Sequence, residues 1–310
     1  MVAMNCTRWL FFPLYTLISV LFCLVVYHYL VPELREGGKF DGSGRTVLAV
    51  DSAQGFARLL DEYENSLSQV RKTADVKALH PENLPPDLAA LPIPEKTSIF
   101  ISLVLPSVLR ANEEIAQTRS EILRLLSKKE KYQRLTTKEE WWLNRLASSY
   151  GCTADDEDQL LMRVDEVPPA LALAQAITES GWGTSRFARE GNALYGLHLP
   201  TNSKGKYLVS ERGNVKVAAF DSVYEATKSY MHSLNRGFAY RDFRQQRAAM
   251  KQQGETVTGH ALAANLHSYS ELGDRYIRDL QLLIEQYRLE ELNGAALKPE
   301  KRDHVVRFQR

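Results

Sequence analysis

Glu179 is the residue of this 310-residue chain best placed to move a proton. It stands near the end of Ala170–Ser180, an alanine-rich run of strong helix formers that opens on Pro168-Pro169 and stops at Gly181-Trp182-Gly183. Proline's fixed φ suits a first helical turn, where its missing N–H costs nothing. The C-terminal end of a helix carries partial negative charge, which disfavours a carboxylate and raises its pKa. Helical spacing stacks Glu179 over Ala172, Gln175 and Ala176, none of them cationic, and Trp182 offers an apolar wall. A carboxyl kept protonated near neutral pH is the proton donor that glycosidic bond cleavage requires. The same pattern also fits a solvated glutamate at a frayed helix end, and spacing alone leaves both readings open.

Composition sets the frame around this residue. At 44% hydrophobic and 25% charged residues, the chain is that of a globular protein with room for one or two domains. A net charge of +1 gives no electrostatic case for nucleic acid as a partner. The three cysteines, Cys6, Cys23 and Cys152, form neither a disulfide framework nor a zinc pattern. No metal or organic cofactor is implied.

The elements that must position Glu179 follow from the pattern along the chain. Trp9–Leu30 is 22 residues without Asp, Glu, Lys or Arg, which at roughly 1.5 Å per residue spans a bilayer. Aromatic residues flank it and no small-x-small cleavage pattern follows, so residues 1–31 read as an uncleaved membrane anchor rather than a signal peptide. Residues 32–98 read as a tether, glycine-rich at first, with one amphipathic helix over Asp51–Ala74 and a proline-rich spacer over Ala78–Ser98. From residue 99 the pattern becomes densely helical: Leu103–Lys131, a helix opened by a capping box at Thr137–Glu140, and Asp155–Val164. After the glutamate helix, Lys206–Ser210 and Val215–Phe220 flank Glu211-Arg212-Gly213-Asn214 as a hairpin. A helix from Ser222 to Gly237 and two closing helices, Thr258–His267 and Asp274–Leu292, complete the domain. The order predicts an α+β fold, mainly α, over residues 99–293, with helical region 99–165 leading in and residues 294–310 disordered.

Gln175-Ala176-Ile177-Thr178-Glu179-Ser180-Gly181-Trp182-Gly183, followed by Asn192-Ala193-Leu194-Tyr195-Gly196, resembles the signature of bacterial peptidoglycan N-acetylglucosaminidases. Arg163-Val164-Asp165, Thr184-Ser185-Arg186-Phe187-Ala188 and Tyr269-Ser270-Glu271 place the resemblance closest to the Bax-like branch. It implies a lysozyme-like fold with a small β-hairpin lobe, here preceded by a transmembrane helix and linker. It implies cleavage of the β-1,4 bond after N-acetylglucosamine in peptidoglycan strands, with Glu179 as general acid. The family's second acidic residue falls on the hairpin, where Glu211 matches best and Asp221 less well. Its tyrosine before the last helix matches Tyr269, which would orient the acetamido group or the attacking water. Trp182, Asn192, Tyr195, Phe220, Tyr240 and Tyr276 would line the sugar subsites. The protein is then expected at the bacterial inner membrane, single-pass, with its catalytic domain in the periplasm. Two other readings stay open: lytic cleavage after N-acetylmuramic acid by a single glutamate, and a non-catalytic glycan-binding scaffold of the envelope.

Overall fold

The computed structural model describes residues 46–199, 204–210, 215–299 and 304–309. The expected anchor and the hairpin tip with Glu211 lie outside the described residues. Among the described residues no helix is long and apolar enough to cross a membrane.

The glutamate helix, α6 (Pro169–Ser180), is the structural hub. Ala170 to Ala174, Ala176 and Ile177 are all fully buried. Its alanines let neighbours approach to backbone distance. A Cβ added at Gly259 would fall 2.7 Å from the Leu171 nitrogen, so helix α10 (Gly259–Ala263) rests directly on the α6 main chain. Helices α3 (Ile93–Glu130) and α11 (Asp274–Gln286) and a 3-10 turn at Leu289–Leu292 pack on its other sides.

Side chains from distant segments pin the entry to α6. Asn112 of α3 accepts from the Val167 nitrogen (3.0 Å) and donates to the Val167 carbonyl (2.8 Å). Asn293 accepts from the Ala170 nitrogen at 2.9 Å, satisfying an orphan donor of the first turn. Arg247, on α9 (Arg241–Gln252) and fully buried, donates to the carbonyls of Met162, Asp165 and Glu166 and to Asn235 Oδ1. Asn235 belongs to α8 (Val223–Arg236), whose Ser222 cap accepts from the Glu225 nitrogen. Remaining helices are α4 (Thr137–Ser149), α5 (Glu157–Arg163) and α7 (Arg186–Gly191). The expected capping box is present one residue earlier, with Thr136 as N-cap and Glu139 reaching back.

The expected hairpin forms from β5 (Tyr207–Val209) and β6 (Lys216–Ala218), antiparallel with Leu208 opposite Val217. A third strand, β4 (His198–Leu199), pairs with the other edge of β6. This small sheet follows the loop after α7, so it is carried beside the end of α6.

Three expectations are corrected. Residues 46–98 are not a tether: they fold into β1 (Thr46–Val50), α1 (Ala53–Glu62), α2 (Leu67–Thr73), β2 (Asp75–Val76), β3 (Leu79–Pro81) and a 3-10 turn at Leu88–Ala90. The single helix expected over Asp51–Ala74 breaks at Glu64, whose φ is 51°. Ser52 caps α1 and Ser66 opens α2 in a capping box with Gln69. The prolines punctuate rather than extend: Pro81 ends β3, and Pro92 and Pro94 open the 38-residue α3. Nor is the tail disordered. Strand β7 (Ala296–Leu297) pairs with β2, and β8 (His304–Phe308) lies between β1 and β3, parallel to both. The two closing helices are also shorter than expected; α11 stops at Gln286, before Arg288 at φ 50°.

Val306 and Phe308 bury the tail's apolar face, and the Phe308 ring meets Phe56 edge-on at 5.7 Å. Phe308→Ala should therefore cost about 3–5 kcal/mol of stability, read as a lower denaturant midpoint at unchanged slope. A disordered tail predicts no change.

Candidate active site

The end of α6 is fixed by an unusual turn. Gly181, Trp182 and Gly183 have φ of 57°, 56° and 72°, three left-handed residues in succession. For Trp182 that conformation costs roughly 1–2 kcal/mol. The turn is held by Ser180, whose hydroxyl donates to the Ala176 carbonyl and accepts from the Gly183 nitrogen at 2.8 Å. The Trp182 nitrogen donates to the Ile177 carbonyl. A Cβ on Gly183 would lie 2.9 Å from the Phe100 ring, so the turn sits flush on α3 and only glycine fits.

Glu179 leaves this end half-buried. Its Oε1 accepts from the Tyr276 hydroxyl at 2.7 Å. Its Oε2 faces Gly196, where an added Cβ would approach to 3.1 Å. Gly196 has φ 60° and leaves the carboxyl room. Burial raises the Glu179 pKa above the ordinary carboxylate value, and the Tyr276 hydrogen bond pulls against that rise. Among the described residues no cationic side chain forms an ion pair with it. The arrangement is that of a desolvated acid with one neutral donor.

Tyrosines surround the carboxyl. Tyr269 stacks on Tyr276 with centroids 5.7 Å apart, and Tyr240 lies tilted against Tyr269 at 5.9 Å. Tyr230 meets Tyr269 edge-on at 6.4 Å and stacks on Tyr195 at 4.0 Å. Burial pushes all five hydroxyls up, so each is a neutral donor at physiological pH.

Several residues expected at sugar subsites serve the scaffold instead. Asn192, 6% exposed and left-handed at the end of α7, donates its amide to the Glu82 and Phe220 carbonyls, both at 3.1 Å. Its polar atoms tie the hairpin and the N-terminal segment together. Tyr195, 1% exposed, shares a hydrogen bond with Thr227 at 3.2 Å. Tyr276, 2% exposed, holds Glu179 rather than lining a subsite. The Tyr269 hydroxyl donates to the Tyr195 carbonyl at 2.8 Å, so its oxygen is left only to accept. Trp182, Phe220 and Tyr240 are half-buried and retain partly open faces. Asp221 is exposed and paired with Lys206. Sequence reasoning did not single out Gln175, Tyr230 or Gly196 as site residues. The four-residue spacing from Gln175 to Glu179 was the available sign for the first.

A cavity of about 340 Å³ lies elsewhere, at the opposite end of α6, between Asn112, Glu166, Pro168, Pro169 and Lys251. Among the described residues no cluster of three His, Cys, Asp or Glu side chains is arranged to hold a metal.

Residues 158–289 match the model of the glucosaminidase family, described as mannosyl-glycoprotein endo-beta-N-acetylglucosaminidase. Over 118 residues the chain is 38% identical to the protein bax of Escherichia coli K12, a match covering 38% of this chain and 42% of that one. The chain thus spans less than half the length of that curated relative. Among solved structures it is similar to the catalytic domain of the autolysin Auto of Listeria monocytogenes, at 19% identity and a TM-score of 0.32, covering 51% of this chain and 89% of that one. It is also similar to a peptidoglycan hydrolase of Sphingomonas sp. A1, at 23% identity and 0.32, covering 51% and 91%. A glycoside hydrolase domain of Salmonella typhimurium FlgJ matches at 24% identity and 0.30, covering 48% and 97%.

The raised pKa of Glu179 has a measurable sign. Its ordinary value is 4.5, and the folded chain holds the proton to higher pH than the unfolded chain does. Stability from this group therefore falls as pH rises from that value through the folded one. Glu179→Gln removes the loss. The melting temperature of the variant relative to wild type should rise as the pH increases above 4.5; a flat difference contradicts the burial of this acid.

Proposed function

We propose that this glycoside hydrolase domain cleaves the β-1,4 bond after N-acetylglucosamine in peptidoglycan, a reading supported by the match of residues 158–289 to the glucosaminidase family model and by the 38% identity to the protein bax over 118 residues. The observation that carries the reading is the desolvated Glu179 carboxyl, its pKa raised by burial, bonded to one neutral hydroxyl and fixed at a rigid helix end. Protonating the bridging oxygen needs an acid of this kind, because an ionised carboxylate has no proton to give.

In this mechanism Glu179 gives its proton to the leaving oxygen as the glycosidic bond lengthens. Positive charge then grows on the anomeric carbon and must be relieved from the other face of the sugar. Glu211 would activate a water there, or the substrate's own acetamido oxygen would attack. The Tyr269 oxygen, its proton already donated, can accept from the acetamido N–H and hold that group in place. Partly open faces of Trp182, Phe220 and Tyr240 supply apolar surface for pyranose rings. Once the proton has left, Tyr276 still donates to the carboxylate and stabilises it.

The reading extends to location. The uncharged run Trp9–Leu30 would hold the protein in the bacterial inner membrane, with the hydrolase domain on the periplasmic side against its glycan.

Digestion of purified sacculi by the wild-type chain should release fragments with reducing N-acetylglucosamine ends. Glu179→Gln should lower that release by about a thousandfold. Products ending in 1,6-anhydromuramic acid would instead assign lytic cleavage after N-acetylmuramic acid, and sacculus binding without soluble product would assign a scaffold.

A further inference from the structure

The hydroxyl that holds Glu179 is itself held. Tyr276 accepts from Gln175 Nε2 at 3.0 Å, and Gln175 Oε1 accepts from the Tyr230 hydroxyl. Gln175 is fully buried one turn before Glu179, so the two side chains leave α6 on the same face. Tyr230 comes from α8 and Tyr276 from α11. Three helices therefore meet in one line of hydrogen bonds that ends on the carboxyl.

We propose that Tyr230 and Gln175 are positioning residues that fix the direction of this line, so that Tyr276 donates to Oε1 and Glu179 carries its transferable proton on Oε2, beside Gly196. This deepens the glycosidase reading and rests on it. A tyrosine hydroxyl has one proton to give, and an amide has a donor end and an acceptor end. With Gln175 turned over, its oxygen would take the Tyr276 proton, and Glu179 would spend its own proton on the Tyr276 oxygen. That reversed line needs a new acceptor for the Tyr230 proton. Tyr230 is fully buried, and among the described residues Gln175 Oε1 is the one hydrogen-bond partner of its hydroxyl. Reversal strands that proton at a fully buried position, which is the costly outcome for a buried polar group. Tyr230 thus sets the amide, the amide occupies the Tyr276 oxygen, and the Tyr276 proton is left for Oε1.

The consequence reaches the chemistry. A line of donors aimed at the carboxyl favours its ionised form and opposes burial, which favours the neutral one. Among the described residues the titratable groups around the carboxyl are Tyr276 of α11, Tyr230 of α8, Tyr240 of the 3-10 turn Phe238–Tyr240 and Tyr269 of the loop before α11. All are neutral, so the direction of the line is the adjustable influence on the acid.

The test reads Glu179 without substrate. In pH-dependent infrared difference spectra of the full-length chain, subtracting the Glu179→Gln spectrum isolates the titration of this carboxyl. Gln175→Met should raise its midpoint by about 1 pH unit and Tyr230→Phe by about half as much. The high-pH limb of glycan cleavage should move up by the same amounts. Tyr230→Phe keeps the ring stacked on Tyr195 and removes one oxygen, so it decides the matter even where the Gln175 variant does not fold. A midpoint unmoved in Tyr230→Phe, while Tyr276→Phe shifts it alone, overturns the relay. The expected infrared shifts in a wild-type chain that cleaves no glycan would retire the glycosidase reading and leave the relay standing.

Discussion

One balance governs the site: burial drives the Glu179 carboxyl towards its neutral form, and a single tyrosine hydroxyl pulls it back. Neither influence alone makes a usable acid. Full desolvation with no donor would hold the proton too tightly to give up, whereas an arginine or lysine within reach would strip it at neutral pH. A neutral hydroxyl leaves the group a proton to give and steadies the charge that remains.

Such a balance needs fixed distances, and the fold is arranged to supply them. Helix α6 is clamped at its entry by Asn112, Asn293 and the buried Arg247. Its exit is clamped by the left-handed Gly181-Trp182-Gly183 turn pressed on α3. Polar side chains bonded to main-chain atoms act at the entry, and close steric fit acts at the exit. Asn192 then joins the loop after α7 to the Glu82 and Phe220 carbonyls, linking the N-terminal segment to the hairpin beside the site. The N-terminal segment, closed by strand β8, thus bears on the site through the buried Asn192 amide and through Leu84, which packs beside the Gly183 turn.

What the sequence made legible was local. Prolines before a helix and glycines after it marked α6, and the Glu179 position in its last turn followed. The hairpin announced itself through two β-prone runs around a polar turn. Strand β8 left no such sign, because its ladder runs parallel to β1 and β3, with contacts such as Phe308 to Asn83 bridging 225 residues. A short alternating segment beside charged residues reads as a tail until its partners are known. The tyrosines failed for a different reason. Tyr269 and Tyr276 both precede or open the last helix, and their spacing cannot say which hydroxyl turns to Glu179; packing gives Tyr276 the carboxyl and Tyr269 a main-chain carbonyl. Asn192 misled through its chemistry. An amide that can bond an acetamido group also suits a left-handed helix end with two carbonyls in reach.

The most direct test of the central claim is a crystal structure of the Glu179→Gln chain with a peptidoglycan tetrasaccharide bound. The amide group that replaces Oε2 should lie within about 3 Å of the bridging oxygen between two sugars, on the side of Gly196, with Tyr276 still bonded to the other carboxamide atom. A tetrasaccharide seated away from position 179, or one that meets it only through a ring hydroxyl, would contradict the account.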